Sequence, residues 1–357
     1  MLSAALSLSR EALAAGRHGA ALQALQPALT ASAESDDPRS WCEAHLLLAH
    51  ARFGLAHFDA SMDHAQKAAQ GWQVLGDGAR ACRAWRLLAF AMTESGDHAG
   101  ALAAARTAFD GAELHGLDFE ALQLMTLIGS LHEQLGDFDA GELLLLQGLS
   151  RAQDRREQPI VAHICSALVT LLISAHEEQL RQGDTARAQA TANRLAVQTA
   201  RLHALSREER SALARAVQLS NIGAALAIGD RLAEGAAMLE QSLAICRTEA
   251  FGAVAMKALL RLARIRLRQG LLDDAEAACS ELGRWLERHP HPQASADRAG
   301  LQASIATARG QPEGPEPPHA GARPVRPMRE HGFDEADLLD RVRAIEACAL
   351  RQNSGLG

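Results

Sequence analysis

The chain has 357 residues, 48% of them hydrophobic and 22% charged, which is the usage of a folded globular protein and not of a disordered one. Only 3% are aromatic and none is Tyr, which excludes tyrosine acid–base chemistry and, with so few strand-forming aromatics, points to helix. A net charge of −7 gives no global attraction to nucleic acid or to an anionic membrane.

In chain order, the N-terminus lacks a basic leader and carries Arg10 and Glu11 inside its apolar stretch, so it does not read as a signal peptide. From there one phrase recurs: a Gly or its equivalent, one or two polar residues, a larger residue, then a second helical run. It falls at Gly16, Ala56, Gly96, Gly136, Gly183, Asp230 and Gly270, in steps of 40, 40, 40, 47, 47 and 40. Five positions after each marker stands a small residue (Ala21, Ser61, Ala101, Gly141, Ala188, Gly235, Ala275). Seven positions before it stands a second small or medium one (Ser9, Ala49, Ala89, Gly129, His176, Gly223, Ala263). Two helices that cross closely need small side chains where their backbones meet, and the marker ends the first of them in a left-handed cap. The predicted unit is a helix–turn–helix hairpin that buries its apolar face only by stacking on neighbours.

The longest dense apolar patch, Leu168 to Ala175, is too short to span a bilayer. Six cysteines (Cys42, Cys82, Cys165, Cys246, Cys279, Cys348) lie dispersed without a C-x-x-C pair, the pattern of a reduced, cytoplasmic protein.

These residues resemble the tetratricopeptide repeat (TPR) family. Trp85-x-x-Leu88-Ala89-x-x-Met92 with Ala101, Ala105 and Ala108 follows its frame, as do Ile222-Gly223 with Leu226, Leu239 and Ser242, and Phe58-Asp59 with Ser61, Ala65 and Ala68. The likeness covers about residues 1–285, with repeats of 40 to 47 residues where the family norm is about 34. It implies an all-α, right-handed superhelix, a solenoid of seven to eight hairpins over residues 1–309. The lengthened helices look like those of bacterial signalling proteins, among them the sensory regions of some diguanylate cyclases and of large transcription activators. No output domain accompanies them. A helix from about Ala294 to Ala308 has the place of a terminal cap. Residues 310–330 form a Pro/Gly-rich linker, with six of the chain's eleven prolines between 310 and 327. Within 331–357, Phe333 to Leu350 reads as one amphipathic helix, with Leu338, Val342 and Ile345 on a stripe; it either docks back on the array, self-associates into a homo-oligomer or binds a partner.

Catalytic motifs are absent: there is no P-loop, H-E-x-x-H or G-x-S-x-G, so no enzyme, cofactor or metal is expected. Gly76-Asp77-Gly78-x-x-Ala81 has the spacing of a dinucleotide fingerprint but sits in an inter-repeat turn without a preceding strand. Cys42 and His45 have the spacing of half a metal site without a second half, so a packed or partly exposed Cys and His is expected there, and the loose cluster of His45, His50, His57 and His64 reads most simply as surface histidines.

The resemblance places the binding groove on the first helix of each hairpin. Setting each marker as position fifteen of the repeat assigns Arg83, Arg86 and Phe90 to that face, then Gln123, Thr126, Ser130 and Glu133, then Thr170, Ile173 and Glu177, and then Ser220, Asn221 and Ala224. Last come Lys257, Leu260, Arg261, Arg264 and Arg268. Lys257, Arg261, Arg264 and Arg268 follow i, i+4, i+7, i+11, one basic stripe with no acid between them. Asn221, Lys257 and Arg261 match part of the family's dicarboxylate clamp, whose other half is replaced here by Ile173 and Glu177. Such a stripe is paired within the array, grips the carboxylates of an acidic peptide, or meets phosphate or nucleic acid. The expected function is a non-enzymatic scaffold or regulatory adaptor that holds a peptide or helix in its groove. The alternative is a ligand- or partner-sensing module of a bacterial signalling system, diguanylate-cyclase-like or transcription-regulator-like, without its own output domain.

Overall fold

The computed structural model describes residues 2–31, 37–289 and 291–310. Among them every regular element is a helix, in the order α1 (Leu2–Ala14), α2 (His18–Thr30), α3 (Pro38–Gly54), α4 (Phe58–Val74), α5 (Gly78–Ser95), α6 (His98–Leu114), α7 (Asp118–Leu135) and α8 (Phe138–Asp154). There follow α9 (Gln158–Arg181), α10 (Thr185–Ser206), α11 (Ala212–Ile228), α12 (Leu232–Glu249), α13 (Gly252–Arg268), α14 (Leu272–Arg288) and α15 (Pro292–Ala308). The linker expected at 310–330 (Gly310 apart) and the terminal helix expected within 331–357 lie outside the described residues.

Every one of the seven markers adopts the left-handed conformation: Gly16 (φ 68°), Ala56 (55°), Gly96 (89°), Gly136 (79°), Gly183 (77°), Asp230 (59°) and Gly270 (74°). The left-handed residue of the sixth turn is Asp230 and not the adjacent Gly229, whose φ is −77°. Helix starts are set by side-chain caps as well. The carboxylates of Asp37, Asp77, Asp97 and Asp184 accept from the backbone N–H of Ser40, Arg80, Gly100 and Arg187 at 2.9–3.1 Å.

The small residues sit where the two helices of a hairpin cross. Ser9 Oγ donates to the Ala21 carbonyl (3.2 Å) and Ser61 Oγ to that of Ala49 (2.9 Å), each joining the positions seven before and five after a marker. His176 Nδ1 makes the same contact with the Ala188 carbonyl at 3.0 Å. Where Gly stands instead, the partner helix moves into the space: a Cβ on Gly129 would lie 2.5 Å from Leu145 Cγ. From α3 onward the helices have 17 or 18 residues, except α9 with 24 and α10 with 22. That one long hairpin accounts for both 47-residue steps.

The chain divides into two compact units, Met1–Asp154 and Arg155–Gly357. In the first, α1–α8 form four hairpins, each stacked on the next. In the second, α9–α14 form three hairpins and α15 packs on α13 and α14 as a last, unpaired helix. There the first helices α9, α11, α13 and α15 stack in one row. The second unit's core runs from Leu213 and Leu239 through Leu259 and Leu262 to Leu282, Leu301 and Ile305. By length and composition α9 could cross a membrane, but 67% of its most apolar stretch is buried in protein, as expected of a core helix. The patch from Leu168 to Ala175 is the centre of this core helix.

Candidate functional site

The expected site residues fall in both units. In the first unit Arg83, on α5, is exposed and approaches Glu120 on α7 at 3.5 Å. Arg86, half-buried, donates to Gln123 Oε1 on α7, and Phe90 is half-buried. Arg10 on α1 likewise reaches Glu43 on α3 at 3.2 Å. These first-helix cations are answered by acids or amides one hairpin away.

The second unit is built differently. Arg261 on α13 donates through Nη1 to Ser220 Oγ (2.8 Å) and to Asn221 Oδ1 (3.0 Å), both on α11. Asn221 is buried and passes the chain on: its Nδ2 donates to Ser166 Oγ on α9 at 3.1 Å. A polar ladder thus crosses three first helices in sequence. The planar guanidinium is held in a fixed orientation by hydroxyl and amide oxygens. Around it Lys257 and Arg264 are exposed, and Arg264 makes no hydrogen bond or ion pair among the described residues. Arg268 does not extend the stripe: it turns to the Ala227 carbonyl (2.8 Å) and to Asp230 (3.3 Å).

Ser166 was not among the residues expected from the sequence. The frame counted back from Gly183 begins the fifth hairpin's inner face at Thr170, whereas the longer α9 adds a turn before it and places Ser166 there, with its carbonyl accepting from Thr170 Oγ1 at 3.0 Å. Ile173 is only 7% exposed and belongs to the core instead of the face, while Glu177 is exposed.

Two further expectations are met or corrected here. Asp77 of the Gly76-Asp77-Gly78 stretch is an ordinary N-cap that also pairs with Arg80. His45 is not a surface histidine but 5% exposed, stacked on Trp41 (4.1 Å between ring centroids), with its Nδ1 2.8 Å from that of the half-buried His64. Burial, and then His64 and Lys67, push the His45 imidazole down to about 4; burial lowers His64 as well. The five cysteines among the described residues are all buried, and burial raises the thiols of Cys82 and Cys165 to about 11, far from reactive thiolates. No group of three or more His, Cys, Asp or Glu side chains able to hold a metal ion occurs among the described residues.

No protein-family model and no curated protein matches the chain. Solved structures do. The apo form of RapI is similar with a TM-score of 0.62 at 12% identity, over 80% of this chain and 99% of that one. A signal transduction ATPase with a tetratricopeptide repeat sensor, PH0952 from Pyrococcus horikoshii, gives 0.58 at 12% identity over 86% of this chain and 44% of the other. The Rap conjugation gene regulator of plasmid pLS20, in complex with the Phr* peptide, gives 0.52 at 12% identity over 100% of this chain and 98% of the other. The chain therefore has the tetratricopeptide-type, all-α helical-repeat fold.

Proposed function

We propose that the chain is a non-enzymatic regulatory adaptor whose second unit binds a peptide with acidic groups on the row of α9, α11 and α13. The observation that carries this is the Arg261 guanidinium, oriented by Ser220 and Asn221 with exposed Lys257 and Arg264 on the same helix face. A planar, pre-positioned guanidinium beside two further cations suits a carboxylate, and its ordering entropy is already spent before the ligand arrives. An array of this fold is seen with a bound peptide in the Rap regulator of pLS20, which supports a peptide over other ligands. Helical repeats present extended surfaces on which such binding needs no catalytic constellation. In the first unit Arg83 and Arg86 face Glu120 and Gln123, so the acidic-peptide reading rests on the second unit by itself. The comparisons lend no support to a diguanylate-cyclase-like sensor.

The test is fluorescence anisotropy of a short acidic peptide with the intact chain and with Arg261→Glu/Arg264→Glu. At least a tenfold loss of affinity with unchanged helicity is expected; equal affinities would sink the proposal.

A further inference from the structure

We propose that the chain carries its own ligand for this face: residues 330–350, tethered through the Pro-rich linker, occupy the basic stripe of α13 in cis and must be displaced by an incoming peptide. The inference rests on the reading of α13 as an acidic-peptide face.

Three observations converge on it. The described chain leaves the array on the same hairpin as the stripe: α15 packs on α13 and α14, and its following residue, Arg309, is pinned to Glu276 (2.5 Å) and to Asp273 of α14. Beyond Gly310, 47 residues remain, enough to reach any point of that face. The 20 residues before His331 span roughly 25 Å as a flexible coil and roughly 60 Å as an extended polyproline-type segment. The 17-residue α13 is itself only about 25 Å long.

Charge then matches. From Glu330 to Asp340 the sequence holds five acids (Glu330, Asp334, Glu335, Asp337, Asp340) and no Lys or Arg. The stripe from Lys257 to Arg264 spans about 10 Å of α13, which a segment of eleven residues can cover. An acidic segment held at such a distance has an effective concentration in the millimolar range. Even with an intrinsic dissociation constant of about 100 μM it would occupy the stripe about ten times out of eleven, and weaken a free peptide about tenfold.

The test uses the full chain labelled at Cys348 with a spin label, the other five cysteines being buried. Spin-label mobility is expected to be restricted in the wild type, released by Arg261→Glu/Arg264→Glu, and restricted again when that variant also carries Asp334→Lys, Asp337→Lys and Asp340→Lys. Equal mobility in the wild type and in Arg261→Glu/Arg264→Glu, whether free or restricted, would overturn the proposal. A restricted signal that is lost on dilution would also overturn it, by placing the segment on a second copy. A synthetic peptide of residues 330–350 added to the Asp334→Lys/Asp337→Lys/Asp340→Lys chain separates the two readings. If it binds in an Arg261-dependent way while the wild-type tail is free, only the tether fails; if it does not bind, the acidic-peptide face itself fails.

Discussion

Arg261 on α13 donates to Asn221 Oδ1 on α11 at 3.0 Å, and Asn221 in turn donates to Ser166 on α9 at 3.1 Å, so one buried amide ties three consecutive first helices. Asn221 is 4% exposed, which makes its replacement costly: Asn221→Ala strands Arg261 without one acceptor and Ser166 without its donor. A loss of about 1–3 kcal/mol in urea unfolding is expected. A loss below about 0.3 kcal/mol would show that the ladder orders nothing.

The hairpin crossings are the second place where a single atom decides. A Cβ on Gly223 would lie 2.7 Å from Leu239 Cγ and 2.8 Å from the Gly235 carbonyl, which is backbone and cannot swing aside. Gly223→Ala should therefore destabilise by about 1–3 kcal/mol. Gly300, inside α15, has nothing within 4 Å of a built Cβ, and Gly300→Ala should stabilise by about 0.5–1 kcal/mol through helix propensity. Thermal melts of the two variants should move in opposite directions; shifts of the same sign would refute the packing argument.

Much of this was legible in the sequence, because the repeat writes local constraints at fixed spacing. The left-handed marker, the small residues at −7 and +5, and the Asp caps are each set by interactions within one hairpin, and Ser61 with Ala49 shows the expected crossing directly. What escaped depends on longer range. The Asn221–Ser166 contact joins residues 55 apart, across the hairpin whose helices are longest, so a fixed frame placed Thr170 where the extra turn of α9 places Ser166. Helical spacing put Arg268 on the stripe, yet a long flexible side chain goes to the nearest acceptors, here the Ala227 carbonyl and Asp230. His45 looked exposed because neighbouring histidines suggested a polar face, whereas Trp41 and His64 enclose it.

Two of the seven markers are not Gly, which makes them improvable. Ala56 holds φ at 55°, where an L side chain costs about 1–2 kcal/mol, while Gly costs about 0.4–1 kcal/mol more entropy on folding. Ala56→Gly should raise stability by about 0.5–1 kcal/mol, and Gly96→Ala (φ 89°) should lower it by a similar amount or more. Chemical denaturation of both checks the pair; an unchanged or lower midpoint for Ala56→Gly would show that the turn is not under strain.

The His45–His64 pair predicts how stability depends on pH. The charged groups facing it are Asp63 and Lys67 on its own hairpin and, for His64, Arg52 at the end of α3. In the fold burial holds His45 neutral down to about 4, whereas in the unfolded chain it protonates near the ordinary 6.5. The unfolded state thus binds more protons between those values, so the contribution is complete above 6.5 and is lost as pH falls toward 4. Between about pH 7 and 5 the His45 share of the loss is about 2 kcal/mol, and His64, shifted in the same direction, adds to it. His45→Phe keeps a ring against Trp41 and removes the titration, so its urea midpoint should fall much less over that interval than the wild type's. Parallel pH profiles for the two proteins would mean that the imidazole pair is not what responds to acid.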